Sequence, residues 1–207
     1  MLLYDSLSKS KHEFKPRATK EVTLYVCGIT PNNATHLGHA FTYVSFDVLV
    51  RYLTHKGFKV KYLQNATDVN DSDDVIKQAD EVGKSWKQIA QLWIDHFHKQ
   101  MDALQVLRPT KYVLASSVME QIITMIDDLI RKGFAYEKKG NVYFDVAKLE
   151  SYGCLSKYQR EQMLLISKER GNDPEDPNKR NPLDFVLWIA SEAEPNWKSP
   201  WSRGRPG

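Results

Sequence analysis

The sequence predicts an α/β fold built on a parallel sheet, and three neighbouring segments support that prediction. Residues 22–27 form an apolar run rich in β-branched residues, which is typical of a buried strand. In about residues 36–54 apolar side chains recur at helical spacing, and residues 59–64 follow as a second strand. A strand–helix–strand crossover is right-handed and lays its two strands parallel in one sheet.

The segments around this unit are predicted from composition and apolar spacing. Residues 1–20 read as a polar, basic lead-in on the outside of the domain. A long helix is expected from Ser85 to about Leu107, with an apolar stripe that is typical of a core face. His96 and His98 lie two apart on this helix, cannot share a ligand, and are expected in solvent.

A further helix is expected from about Ser117 to Lys132, because Ser117 and Glu120 match a capping box and Gly133 follows as a stop signal. Residues 134–144 then predict a hairpin with a Lys-Lys-Gly turn.

The last quarter of the chain alternates between charged and apolar segments. Residues 167–181 carry many charges and two prolines, which predicts a mobile surface loop. Residues 184–188 form an apolar run that predicts a buried strand returning to the parallel sheet, and residues 195–207 predict a loop.

Bulk composition narrows the class of protein. Of the 207 residues, 42% are hydrophobic, which is enough for a hydrophobic core. The formal net charge of +3 is compatible with binding to nucleic acid but does not by itself indicate it. Neither a signal peptide nor an apolar run of the ~20 residues that a membrane span requires is visible. The two cysteines, Cys27 and Cys154, make a disulfide framework unexpected, and a cytoplasmic location is the default.

The run from Cys27 to Ala40 joins the first strand to the first helix and is the strongest candidate for a functional site. Such a junction gathers free backbone N–H groups and the positive end of a helix dipole, where phosphate oxygens bind. Thr35 is placed to cap the helix. His36 and His39 share one helical face, and both could contact one polyanion or could merely form a polar cap.

Polar residues after the second strand are expected at the same place. Parallel strands end at one edge of a sheet, and ligands of open α/β sheets bind outside that edge. Asn65, Thr67 and Asp68 should therefore face the same crevice as Cys27 and the histidine pair.

The acidic residues that follow do not match a calcium loop. Asp73 stands where an EF-hand needs glycine and Ala79 where it needs glutamate, so Asp68, Asp71 and Asp74 are better explained by the N-terminus of the next helix.

The central run resembles a known motif. His36-Leu37-Gly38-His39 after Cys27-Gly28-Ile29-Thr30 is similar to the HIGH motif of class I aminoacyl-tRNA synthetases, and its wider context resembles cysteinyl-tRNA synthetase. The resemblance extends from about Leu3 to Gly207 and covers only the N-terminal part of that family's catalytic domain. Supporting stretches are Phe14-Lys15-Pro16, Phe46-Asp47-Val48-Leu49, Asn65-Ala66-Thr67-Asp68, Asn181 to Trp188 and Ser199 to Gly207.

The resemblance implies a Rossmann-like parallel sheet with an inserted connective-peptide subdomain. It implies three parts: residues 1–109 as the first half of the catalytic fold, 110–183 as the insertion, and 184–207 as the return strand and the loop into the second half.

The resemblance also implies roles for individual residues. His36 and His39 would be catalytic donors to the phosphates of ATP, which the family uses with Mg²⁺. The ATP-binding set would be Gly28, Ile29, Thr30, His36, Gly38 and His39, and the substrate-binding set Cys27, Asn65 and Thr67.

Cys27 has two interpretations. An isolated cysteine is usually a small hydrophobe, as expected for Cys154. By resemblance, Cys27 is the first ligand of the family's zinc site, whose other ligands, like the KMSKS lysine loop, are expected beyond Gly207.

The sequence is compatible with three functions. The chain resembles the N-terminal part of a ligase that activates cysteine with ATP and transfers it to tRNA(Cys). A complementing C-terminal half is the expected protein partner, and no association with a membrane is expected. Mycothiol-pathway cysteine ligases, which use an amino-sugar acceptor, share Gly28 to Pro31 and Ala34 to Ala40 even more closely. A non-catalytic binding or partner protein would also lack the lysine loop and the remaining zinc ligands.

Overall fold

The computed structural model describes residues 1–17, 20–69 and 74–207, and the chain divides into two units. The parallel-sheet unit comprises Lys15–Val69 and the described residues up to Val118. The antiparallel-sheet unit comprises Met1–Phe14 and Met119–Gly207. The predictions made for Asp71 and Asp73 lie outside the described residues.

The first residues form strands where the sequence predicted only a polar lead-in. Strands β1 (Leu2–Asp5) and β2 (Ser10–Glu13) pair as an antiparallel hairpin. Their side chains are almost all exposed, so no apolar periodicity marks them in the sequence.

The predicted strand–helix–strand unit is confirmed. Strand β3 (Glu21–Ile29), helix α1 (Leu37–His55) and strand β4 (Lys59–Ala66) follow in order, and β3 pairs parallel with β4. Strand β5 (Lys111–Leu114) pairs parallel with β4, which gives the order β3-β4-β5. Because β5 belongs to this sheet, the sheet extends past residue 109, at which the first domain was predicted to end.

Two helices connect β4 to β5. Helix α2 (Asp74–Val82) begins at an acidic residue, as the helix-dipole argument predicted. Helix α3 (Trp86–Ala103) is capped by Ser85 and ends four residues before the predicted Leu107. The core of the unit joins the inner face of α1 to the sheet and α3 through Val26, Ile29, Tyr43, Val50, Tyr62, Phe97 and Met101.

The expectation that His96 and His98 lie in solvent is wrong. Among the described residues, His96 Nδ1 and His98 Nε2 are buried and make no hydrogen bond. The His98 ring lies 4.7 Å from the Tyr112 ring, centroid to centroid. Burial lowers the pKa of His98, and Arg108 lowers it further.

The C-terminal part of the antiparallel-sheet unit begins with helix α4 (Met119–Arg131). The predicted Ser117–Glu120 capping box is wrong, because residues 115–118 form a 3₁₀ turn and the Ser117 hydroxyl donates to the Leu114 carbonyl. Gly133 then takes a positive φ of 77° after the helix.

A five-stranded sheet follows α4. It has the order β6-β7-β8-β10-β9, and its strand pairs are antiparallel. Its strands are β6 (Ala135–Lys138), β7 (Asn141–Phe144), β8 (Phe185–Ala190), β9 (Trp197–Lys198) and β10 (Arg203–Pro206), with helix α5 (Arg160–Glu169) between β7 and β8. The predicted hairpin is β6–β7.

Two predictions for the C-terminal part are corrected by this sheet. Strand β8 pairs with β7 and β10, not with the parallel sheet to which it was expected to return. Residues 195–207, predicted as a loop, contain β9 and β10.

The charged segment before β8 is held by one buried carboxylate. Asp184 is fully buried and accepts hydrogen bonds from Tyr136 Oη (2.7 Å), Val146 N (3.0 Å) and Asn181 N (3.0 Å). The carboxylate therefore ties the end of this segment to the sheet.

Among the described residues, no helix combines the length and apolar character that a membrane span requires.

Candidate functional site

The N-terminus of α1 is capped by two histidine side chains, those of His36 and His39. His36 is the N-cap residue, with extended backbone, and its Nδ1 accepts a hydrogen bond from Gly38 N at 3.0 Å. His39 Nδ1 in turn accepts from His36 N at 3.3 Å, so the two imidazoles form a reciprocal capping box. The prediction that Thr35 caps the helix is therefore wrong by one residue.

This arrangement fixes the tautomer of both rings. A ring nitrogen that accepts a backbone N–H must carry the lone pair, so in each neutral imidazole the proton resides on Nε2. Burial lowers the pKa of His39, and the neighbouring His36 lowers it further, which favours the neutral form. The ring centroids lie 3.9 Å apart, so two Nε2–H donors are held side by side.

Two glycines allow the backbone and the rings to approach this closely. A Cβ at Gly38 would lie 2.8 Å from His36 Cε1, where the capping ring sits. A Cβ at Gly28 would lie 1.4 Å from the Asn65 carbonyl oxygen, a backbone atom that cannot move aside cheaply. Side chains at these positions would displace the cap and separate the ends of β3 and β4.

A cleft of about 650 Å³ opens beside the histidine pair. It is lined by Gly28, Ile29, Thr30, Asn32, Asn33, Ala34, Thr35, His36 and His39. None of these side chains is a carboxylate, and α1 has no acidic residue in its first turn. The positive end of the helix dipole and the imidazole donors therefore face no competing negative charge within the lining, which suits an anionic ligand.

Asn65 links the ends of the two strands beside this cleft. Its Oδ1 accepts from Gly28 N at 2.8 Å and from Tyr25 Oη at 2.9 Å, while its Nδ2 donates to Thr67 Oγ1 at 3.2 Å. Thr67 N donates to the Ile29 carbonyl at 2.9 Å. The expected proximity of the two strand ends is thus present, and the Asn65 amide is engaged with protein groups.

Tyr25, which donates to Asn65, is not among the site residues predicted from the sequence. It lies two residues before Cys27 and therefore on the same face of β3. Its spacing from Cys27 is the one feature of the sequence that could have placed Tyr25 at the site. An aromatic residue in a strand is, however, ordinarily assigned to the core.

Asp68 does not face the crevice. Its carboxylate is buried and accepts hydrogen bonds from Ser116 N at 3.0 Å and Ser116 Oγ at 2.5 Å. This contact secures the segment after β4 to the segment after β5. The prediction that Asp68 joins the ligand-facing residues is wrong, because its lone pairs are used inside the unit.

Cys27 lies at the exposed face of β3, and its carbonyl accepts a hydrogen bond from Tyr43 Oη at 3.2 Å. Neither Cys27, Asn65 nor Thr67 belongs to the lining of the cleft. Within residues 1–17, 20–69 and 74–207, His, Cys, Asp and Glu side chains form no group of three that could hold a metal ion. The described residues alone therefore do not provide the three protein ligands of a zinc site.

Comparison with known proteins identifies the family. Residues 13–207 match the family model described as "tRNA synthetases class I (C) catalytic domain". The chain is 44% identical to the cysteine--tRNA ligase of Francisella philomiragia, covering 100% of this chain and 44% of that protein. It is also 44% identical to the cysteine--tRNA ligase of Pseudoalteromonas translucida, and that match covers 99% of this chain and 44% of that protein.

A relative named for another activity is similarly close. The L-cysteine:1D-myo-inositol 2-amino-2-deoxy-alpha-D-glucopyranoside ligase of Streptosporangium roseum is 41% identical over 99% of this chain and 50% of its own length. The chain thus spans about half the length of the relatives it matches. Since the family model covers nearly the whole chain, this protein belongs to the class I tRNA synthetase family, in the group defined by that catalytic domain.

Proposed function

We propose that this chain carries the ATP-binding half-site of a cysteine--tRNA ligase. The observation that carries the proposal is the reciprocal cap of His36 and His39, which leaves two Nε2–H donors beside a cleft without carboxylates. The matches to two cysteine--tRNA ligases at 44% identity support cysteine as the amino acid.

The proposed reaction activates the amino acid. A carboxylate oxygen of cysteine attacks the α-phosphorus of ATP and forms a new P–O bond. The bond from the α-phosphorus to the bridging oxygen breaks, and pyrophosphate leaves with that electron pair. Negative charge shifts on the phosphate oxygens during this step, so donors fixed in advance lower the barrier.

Different residues of the site would bind the phosphates and the nucleotide in this reaction. Nε2–H of His36 and of His39 would donate to phosphate oxygens, and the free backbone N–H groups at the start of α1 would add to that field. Gly28, Ile29 and Thr30 would line the nucleotide, and Gly38 keeps the His36 ring in place. A bound Mg²⁺ would neutralise part of the ATP charge.

The cysteine side of the site would be formed at the ends of β3 and β4. Thr67 is the proposed substrate contact, and Asn65 holds Thr67 and Gly28 in position through its amide. Cys27 would supply one thiolate ligand to zinc, an ion that favours sulfur and would therefore select cysteine over serine. The remaining ligands would have to come from outside the described residues.

The acceptor and the domain arrangement are part of the proposal. We propose tRNA(Cys) as the acceptor, a cytoplasmic location, and a complementing C-terminal half as the source of the lysine loop. The part of the antiparallel-sheet unit from Met119 onward would correspond to the connective insertion, which would then begin at Met119 rather than at residue 110.

An amino-sugar acceptor is the second candidate, and the 41% match to the Streptosporangium roseum ligase favours it. Both candidates share cysteine activation and differ only in the transfer step. A non-catalytic binding or partner protein is the third alternative.

Cysteine-dependent ATP–pyrophosphate exchange tests the activation step. The suitable enzyme is a full-length chimera in which these 207 residues replace the matching segment of the Francisella philomiragia ligase. We expect exchange with cysteine and little with serine. No exchange by a folded chimera would contradict the proposal, and transfer to an amino-sugar in place of tRNA would establish the second candidate.

A further inference from the structure

A second cavity lies within the antiparallel-sheet unit. Its volume is about 590 Å³, a size typical of small-molecule sites in proteins. Its lining comes mainly from strands β7 and β8 and from the charged segment of residues 167–181. All of its lining residues belong to this one unit, and none lines the cleft at His36 and His39. We call it the segment cavity.

Side-chain hydrogen bonds hold the charged segment where it lines the segment cavity. Asn172 Nδ2 donates to the Pro182 carbonyl at 3.0 Å and to Ser167 Oγ at 3.3 Å. Tyr143 on β7 donates from Oη to the Asp176 carboxylate at 2.8 Å. The segment is therefore tied both to itself and to the sheet, so the cavity has a defined lining.

Two cations line the cavity, and neither forms an ion pair with any described residue. The ammonium of half-buried Lys179 donates to two neutral oxygens, Asn172 Oδ1 and, at 2.6 Å, the Asp173 carbonyl. Burial lowers the pKa of Lys179, and the carboxylates of Asp176 and Asp173 only partly offset this effect. The guanidinium of Arg170, an exposed residue, makes no hydrogen bond within the described part of the chain.

The two carboxylates of the lining bind neutral donors. Asp176 accepts from Asn178 N at 2.9 Å and from Asn178 Nδ2 at 2.8 Å, in addition to the tyrosine hydroxyl. Asp173 accepts from Glu175 N at 2.9 Å. Protein groups thus occupy the carboxylates, while the planar fork of N–H donors on Arg170 stays available to a ligand.

The remainder of the lining is largely aromatic and aliphatic. Tyr143, Tyr152 and Phe185 contribute rings, and Val186 and Ile189 contribute branched side chains. Surfaces of this kind bind planar apolar groups. A ligand that combines a ring with one negative group would match both the apolar and the cationic parts of the lining.

We propose that the segment cavity binds a small aromatic carboxylate. Arg170 would hold the carboxylate group through its guanidinium fork, Lys179 would add positive charge, and Phe185 would contact the ring. A dianion is a poorer match, because the two carboxylates of the lining would repel its second charge. This site shares no residue with the ATP cleft and is independent of the proposed function.

Titration of the 207-residue chain with benzoate tests the site by NMR. Benzamide serves as the neutral analogue and benzylammonium as the cationic one. We expect benzoate to move the signals of Phe185 and Ile189 with a Kd of about 1 mM, as for a fragment-sized ligand. The two analogues should bind at least about tenfold more weakly, because they lack the charge-assisted hydrogen bonds.

Three outcomes of this titration would overturn the proposal. One is an absence of shifts in the segment cavity at about ten times the expected Kd. Another is binding of benzylammonium at least as tight as that of benzoate. The third is movement of the His36 and His39 signals in place of those of Phe185 and Ile189.

A pair of variants tests the role of the guanidinium. Arg170→Gln removes the charge from an exposed side chain, and Lys168→Gln removes one from an exposed residue of α5 outside the lining. We expect Arg170→Gln to weaken benzoate binding by about tenfold and Lys168→Gln to leave it unchanged. Equal weakening in the two folded variants, or none in Arg170→Gln, would contradict the proposal.

The full-length chimera with the Francisella philomiragia ligase provides the last comparison. Ligand-observed NMR, which is suited to large proteins, should give the same affinity for benzoate in the chimera. Loss of binding in a folded chimera would overturn the proposal, because residues after Gly207, which lines the cavity, would then fill it. Pyrophosphate exchange by a chimera that does not bind benzoate would leave the proposed function standing.

Discussion

His36 and His39 cap the helix that carries them: each uses Nδ1 to accept a backbone N–H of the first turn, and their rings lie 3.9 Å apart. One pair of side chains thus satisfies two of the free donors of the helix and presents two further donors on Nε2. Stability of the helix end and binding of an anion therefore use different atoms of the same rings, and variants can separate them.

The first prediction separates the cap from the phosphate donor. His36→Asn retains a good N-cap residue but removes the Nε2–H group, whereas His36→Ala removes both. In the full-length chimera we expect each variant to lower the rate of ATP–pyrophosphate exchange by about 10²-fold, as for the loss of one charge-stabilising donor.

Only His36→Ala should also lower the free energy of unfolding, by about 1 kcal/mol in urea titrations of the 207-residue chain. If His36→Asn retained near-normal exchange, His36 would not be a donor to the phosphates of ATP, and its only role would be to cap the helix.

The second prediction concerns the two close-packed glycines. Gly28→Ala places a methyl group against the Asn65 carbonyl, and overpacking of this kind costs about 1–3 kcal/mol of unfolding free energy. Gly38→Ala instead presses on the His36 ring, which can rotate away. We expect Gly38→Ala to lose exchange activity and to cost about 1 kcal/mol of unfolding free energy, as for the loss of the His36 cap, which is less than the cost of Gly28→Ala. The reverse ranking of the two stabilities would contradict this geometry.

The third prediction is a loss of stability in weak acid. The pKa of His39 and that of His98 are both lowered from 6.5 by burial, so the unfolded chain binds more protons than the folded chain below about pH 7. The stabilisation is present above pH 6.5 and is lost as the pH falls through the folded-state pKa values. Unfolding midpoints measured between about pH 5 and pH 8 should therefore decrease towards acid.

His39→Gln and His98→Gln should each flatten this pH dependence. Protonated His39 can no longer accept the His36 N–H, and protonated His98 would place a charge beside Tyr112. A pH profile of the double variant that matches the parent chain would show that other groups cause the dependence.

The parallel core of the fold is the part that the sequence predicts well. Apolar periodicity locates β3, α1 and β4, and the handedness of the crossover predicts their parallel pairing. Strand β5 is missed because it has only four residues and joins the sheet after two intervening helices, a pairing that local pattern cannot reveal. The apolar run of β8 predicts a strand but carries no information about its partners.

The candidate site shows the same division. Parallel topology predicts that the end of β4 lies beside the end of β3, and the Asn65–Gly28 hydrogen bond has that geometry. Asn65 and Thr67 were also expected to face one crevice with Cys27 and the histidine pair, but none of Asn65, Thr67 and Cys27 lines the cleft at that pair. The N-cap was assigned to Thr35 because histidine is not among the favoured cap residues, and only coordinates reveal the reciprocal bond with His39. Asp68 was misassigned because Ser116, which binds it, lies 48 positions away.

The fourth prediction concerns Cys27. Because its side chain is exposed, Cys27→Ser should leave the unfolding midpoint of the 207-residue chain unchanged. In the full-length chimera the same substitution should lower the bound zinc measured by elemental analysis and reduce the preference for cysteine over serine in the exchange assay. Cys154→Ser is the matched control, and equal zinc content in the two variants would exclude Cys27 as a ligand.

The imidazole nitrogen resonances of His36 and His39 test the central claim most directly. Long-range ¹H–¹⁵N spectra of the 207-residue chain distinguish Nδ1–H from Nε2–H tautomers, and ATP with Mg²⁺ can then be titrated in. The account predicts the Nε2–H tautomer for both residues and movement of both Nε2 signals as ATP binds. An Nδ1–H tautomer in either ring, or Nε2 signals that stay in place while other residues of the cleft respond to ATP, would contradict it.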